Sequence, residues 1–235
     1  MDINSFLFLQ LFFGLITVIT VALLINACGV GRKPTIIVLS LWLAFQGILT
    51  FNEFYYDTFS FPPRFALLLG PTIIIIVLLF LTKKGKNYIQ NLNQTTLTYL
   101  HTIRIPVEFT LYWLCCMGLV PELMTFDGRN FDIISGITAP FIAYFGYTKG
   151  KISRTGLIIW NIICLGLLVN IVTHAILSVP SNFQQFAFDQ PNVAILTFPF
   201  SWLACCVVPI VLFSHLVSLS LLFKNKSFNA NKLLV

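Results

Sequence analysis

The chain alternates long apolar runs with short polar connections. A bilayer core of ~30 Å takes about 20 residues of helix at ~1.5 Å per residue. Seven runs reach or approach that length: 5–28, 35–51, 63–82, 96–118, 133–148, 155–178 and 193–223. The fifth is short and the seventh long, which predicts one irregular helix and one that is tilted or runs past the membrane. A membrane β-barrel would instead show segments of about 10 residues alternating apolar with polar. The run Ile73-Ile74-Ile75-Ile76-Val77-Leu78-Leu79-Phe80 does not alternate. The pattern therefore predicts an all-α, polytopic membrane protein of seven transmembrane helices, a single domain over residues 1–235.

Composition narrows the function classes. Of the 235 residues, 57% are hydrophobic and 9% charged, with a mean hydropathy of +0.90. Soluble domains carry roughly 25% charged residues, so this chain cannot cover a water-facing surface. A soluble enzyme, a nucleic-acid-binding domain and a disordered protein are excluded. The expected partner is the lipid bilayer of the cell (inner or plasma) membrane. No nucleic acid is expected, and nothing specifies an oligomeric state.

The net charge of +6 is explained by where the cations lie. Arg32 and Lys33 follow the first run, Lys83, Lys84 and Lys86 the third, and Lys149, Lys151 and Arg154 the fifth. Lys224, Lys226 and Lys232 follow the last. Eleven of the fourteen cations thus fall on one side, and seven of the eight acids on the other (Asp2, Glu53, Asp57, Glu122, Asp127, Asp132 and Asp189). The positive-inside bias predicts an outer N-terminus and a cytoplasmic C-terminus. No basic residue precedes the first run and Asp2 opens it, the reverse of a signal peptide. Ile25-Asn26-Ala27-Cys28 only loosely imitates a lipoprotein box. Six cysteines lie in or beside the runs, where they read as small packing residues rather than bridges.

A weak internal echo runs through the chain. Phe61-Pro62-Pro63-Arg64-Phe65 with Pro71 matches Phe198-Pro199-Phe200-Ser201-Trp202 with Pro209. Gly31-Arg32-Lys33 before Trp42 matches Gly150-Lys151 before Trp160. Two parallel three-helix units joined by the fourth helix, a 3+1+3 arrangement, would place a site between them. Sugar and PQ-loop carriers have that plan. Runs one and two here lack their intramembrane prolines and Pro-Gln pair, so the family is not assigned.

Polar groups inside a span are costly unless they face protein or water, which makes them candidate sites. His101, Arg104, Glu108 and Tyr112 fall within about an 80° arc of the fourth run. Glu108 lies about 13 residues from one end and 10 from the other, near the midplane. Arg104 is one turn away, close enough to neutralise it, and Pro106 between them frees the carbonyl of Thr102. Glu108 is then either a proton or cation site or half of a fixed structural pair. A second constellation forms the outer rim: Glu122, Asp127, Arg129 and Asp132 between runs four and five, Asp189 further on, and Asn170 with His174 at the end of run six. These side chains would form an acidic vestibule or simply a solvated loop.

Metal chemistry is not supported. Seven-helix zinc hydrolases use several His on one metal, whereas His101 and His215 lie roughly 20 Å from His174 at 1.5 Å per residue. A retinal Schiff base is also excluded, since no Lys precedes Lys224 in the last run. No cofactor and no metal are expected. The segments Thr102–Glu108, Pro121–Asp132 and Asn182–Asn192 resemble an uncharacterised family of small bacterial seven-helix membrane proteins. That resemblance implies the fold over most of the chain and brings no activity with it.

The leading expectation is a transporter of a small solute or ion, its track running from the outer vestibule through Glu108 and Arg104 past His101. An outer-facing membrane enzyme acting on a lipid or envelope precursor, with the rim carboxylates and His174 as acid and base, is the alternative. A sensor or scaffold without chemistry is the third.

Overall fold

The computed structural model describes residues 3–29 and 31–224. Asp2, Lys226 and Lys232, three of the charges used for topology, lie outside the described residues. The chain is all-helical, and among the described residues no strand forms beyond an isolated bridge between Cys28 and Leu92.

Helices α1 (Ile3–Ala27), α2 (Arg32–Phe51), α8 (Arg154–Leu177) and the run Leu203–Lys224 are each long and apolar enough to cross a membrane. Within that last run α9 proper is Val208–Lys224, entered through a π-helical turn at Leu203–Val207. Its most apolar stretch is 72% buried, against 17–33% for the other three. It is the central helix, and α3 (Ala66–Leu81) and α8 both pack on it or on its π turn.

The other apolar runs are shorter or broken. The fourth divides into α5 (Gln94–Leu100), a 3-10 turn at His101–Ile103 and α6 (Arg104–Cys116). Pro106 has no N–H to donate, so the tightened turn falls just ahead of it. The fifth begins as α7 (Ile133–Phe141) and loosens into a π-helical stretch over Ile142–Thr148 from Pro140 onward. The seventh run starts later than its apolarity suggests. A 3-10 turn occupies Ala194–Leu196, and regular helix begins only after Pro199.

The connection after the third run is not the simple loop its three lysines imply. Lys83–Gln90 forms helix α4, bent 89° from α3. Thr82 caps it by accepting from the Gly85 amide at 3.1 Å. A side chain at Gly85 would bring its Cβ to 2.2 Å from the Leu79 carbonyl, so only glycine permits so tight a corner.

Burial is inverted relative to a water-soluble fold. Leu11, Leu15 and Val18 of α1, Leu41 and Ile48 of α2, and Ile162 and Ile163 of α8 are all exposed. Arg104, Glu108, His101, His215, Asn130 and Asn161 are all buried. An apolar exterior of this extent is compatible with a membrane protein. The Phe61–Pro62 and Phe198–Pro199 peptide bonds are both cis.

Candidate functional site

The polar stripe on the fourth run faces the interior, and its partners come from three other helices. Gly136 makes this possible. A Cβ there would lie 2.8 Å from Ile105 Cγ1 and 3.1 Å from the Ile105 amide nitrogen. With glycine, α7 presses against the start of α6, and the residue opening α7 comes within reach of Arg104. That residue is Asp132.

Arg104 Nη1 donates to Asp132 Oδ1 at 2.9 Å, an ion pair 2% and 5% exposed at its two residues. Two sequence expectations are corrected here. Asp132 is not part of an outer vestibule, and the partner of Arg104 is not Glu108. A buried guanidinium needs a carboxylate with good geometry. The loop 121–131 supplies it by folding onto itself through Thr125 N to Glu122 O (2.8 Å) and Asn130 N to Thr125 O (3.2 Å).

Glu108 is held by an amide instead. Asn130 Nδ2 lies 2.7 Å from both carboxylate oxygens and 3.0 Å from the Met124 carbonyl. The Asn130 Oδ1 accepts from the Asp132 amide at 3.0 Å. One buried asparagine thus sets the spacing between the two carboxylates. Sequence reasoning missed it because an asparagine in a polar loop carries no periodicity to mark it as interior.

The other guanidinium arm reaches His215. Arg104 Nη2 stands 3.1 Å from His215 Nε2, and His215 Nδ1 stands 2.9 Å from Asn161 Oδ1. Guanidinium only donates, so Nε2 accepts and the imidazole carries its proton on Nδ1. Asn161 then donates to the Leu157 carbonyl at 2.9 Å. His101 stacks on His215 with ring centroids 3.9 Å apart. Both His101 ring nitrogens lack a hydrogen-bond partner among the described residues. His215 and Asn161 were also not expected in the site. Each lies in an apolar run that carries other polar residues, Asn170 and His174 with Asn161, Ser214 and Ser218 with His215, so nothing singles it out in the sequence.

The rest of the expected set disperses. Tyr112 is only half-buried and stacks on Phe126 at 5.1 Å. Glu122, Asp127, Arg129 and Asp189 are exposed, and Arg129 makes no ion pair among the described residues. Asn170 donates to the Arg129 carbonyl at 3.0 Å, tying α8 to the loop. His174 Nδ1 bonds to the Asn170 carbonyl at 2.9 Å, and its ring stacks on Phe186. Neither bond brings His174 to a carboxylate. Among the described residues no three His, Cys, Asp or Glu side chains converge as metal ligands.

A cavity of about 530 Å³ lies beside the buried charges, between α3 and α8. Glu108 and Asp132 line it, and every other lining residue is apolar. Its exposed lining residues are Ala66 and Ile74 of α3, Ile176 of α8 and Phe183 in the loop that follows.

A family described as a domain of unknown function (DUF8737) matches residues 62–223. The chain belongs to that family. The matched stretch contains the whole Arg104–Asp132–Glu108–His215 cluster and the cavity between α3 and α8. Neither a curated protein nor a solved structure matches the chain.

Proposed function

We propose that this DUF8737 protein is a multi-pass carrier of a small solute or ion in the cell membrane. Its seven apolar runs would form one membrane domain, N-terminus outside, in the parallel 3+1+3 plan. Glu108 is the group that exchanges its ligand. One observation carries the reading: the buried cluster holds two carboxylates, Glu108 and Asp132, but a single guanidinium, and Asp132 takes it. Glu108 receives only the Asn130 amide. An ionised Glu108 is therefore a buried negative charge without a counter-charge, which calls for a proton or another cation.

The arrangement also changes the track. Arg104 keeps its protons, and its two arms bond Asp132 and His215 in fixed directions. A hydrogen-bond chain interrupted by a guanidinium cannot pass protons along itself. We read Arg104, Asp132, His215 and Asn161 as a clamp that shapes the site, and the cavity at Glu108 as the place where cargo is held. The exposed rim acids Glu122, Asp127 and Asp189 would raise the local cation concentration.

Proteoliposomes loaded with a pH dye test this. Under an inside-negative potential, the wild-type protein should acidify the lumen faster than empty liposomes. Glu108→Gln should fall to the empty-liposome rate while Glu122→Gln should not. Equal rates for wild type and Glu108→Gln would reject the reading.

A further inference from the structure

The cavity itself specifies more than a cation. Its walls are apolar apart from two charged groups, Glu108 and Asp132, and both of those are acidic. A hydrated metal ion or a sugar would leave its polar groups unpaired against such walls. A purely apolar molecule would fit the walls but leave Glu108 to be neutralised by a proton alone. Both demands are met by one chemical class.

We propose that the cavity takes a hydrophobic organic cation, its apolar body against the walls and its charge against Glu108. This rests on the reading of Glu108 as the exchangeable site and names its cargo. At ~30 Å³ for each water- or methylene-sized group, the volume holds roughly 18 such groups. That is one charged head with an alkyl chain or small ring system, within the ordinary range for ligand pockets. The sign of the head follows from the charge count, because Arg104 is already committed to Asp132. An anionic amphiphile would meet two carboxylates and no free cation.

Gly70 offers a way to close the cavity without touching the charges. It lines the wall on α3, and a Cβ there meets no atom within 4 Å. Gly70→Leu would grow into the cavity rather than into the protein. Glu108→Gln preserves the shape and one of the two Asn130 contacts, and Glu108→Asp preserves the charge.

The test is equilibrium binding of radiolabelled dodecyltrimethylammonium to the full chain in lipid nanodiscs, with empty nanodiscs subtracted. Wild type should bind it saturably, one per chain, and dodecanol should not compete. Affinity should fall at least tenfold in both Glu108→Gln and Gly70→Leu and recover in Glu108→Asp. Binding unchanged by Glu108→Gln, or no binding above empty nanodiscs, overturns the proposal. If proton flux through Glu108 persists while wild type binds no dodecyltrimethylammonium, the cargo is wrong and the carrier reading survives. If both are absent, both fall.

Discussion

His215 Nε2 accepts from Arg104 Nη2 at 3.1 Å, which fixes the imidazole as neutral with its proton on Nδ1. The bond joins the centre of the last helix to the start of α6. It also aims the Nδ1 proton at Asn161 Oδ1 on α8, so three helices share one ring. His215→Ala would leave an Arg104 N–H and the Asn161 carbonyl buried without partners. Each such group costs roughly 1–3 kcal/mol. The unfolding midpoint in a mild detergent should fall clearly below wild type, and His215→Gln, which can still accept, should recover part of the loss.

Asp132 should behave unlike the other acids of its loop. Removing one partner of a buried ion pair costs about 3–5 kcal/mol, because the remaining charge is stranded. Asp132→Asn should therefore be strongly destabilised. Asp127→Asn and Asp189→Asn, both exposed, should leave the midpoint where it is. Replacing both members, as Arg104→Met with Asp132→Leu, should be milder than Asp132→Asn alone. A double mutant no better than the single would show that the pair is not the reason for the loss.

Two glycines give opposite expectations from the same substitution. Gly136→Ala drives a Cβ against Ile105 and Arg104, and overpacking of this kind costs about 1–3 kcal/mol. Gly14→Ala, in the middle of α1, meets nothing within 4 Å. There the gain in helix propensity is about 0.5–1 kcal/mol. Thermal unfolding of the two variants side by side should move in opposite directions.

Tyr88 on α4 provides a pH signature outside the spans. Its hydroxyl lies 2.9 Å from Cys28 Sγ and 3.0 Å from Thr35 Oγ1. Burial, and then the hydrogen bond with Cys28, push the phenol above its ordinary range. The unfolded chain ionises first, near pH 10, while the folded phenol stays neutral. Stability from this group is complete below that value and is lost as pH rises toward the folded pKa. Tyr88→Phe should be less sensitive to alkaline pH than wild type in unfolding measurements above pH 10.

The helical class was legible in the runs because an apolar exterior leaves few other solutions. The inward stripe of His101, Arg104 and Glu108 was legible from spacing alone. The pairing was not. Arg104 and Glu108 are close in sequence, so a pattern along one helix favours joining them. The contact that forms depends on Gly136 letting α7 approach α6, a relation between helices that no single run encodes. His215 and Asn161 were hidden for the same reason. The start of the seventh run is blurred because apolarity begins at Val193, whereas regular helix begins only after Pro199.

The right-angled corner at Gly85 carries a consequence for how the molecule sits. Lys83, Lys84 and Lys86 are exposed along a helix turned 89° from its predecessor, and if α3 crosses the bilayer as proposed, that helix lies flat where α3 ends. Against an anionic lipid surface such a segment works as a depth gauge. In the membrane arrangement proposed above it would stop α3 from sliding along the bilayer normal, and so hold Glu108 and its cavity at one height among the acyl chains.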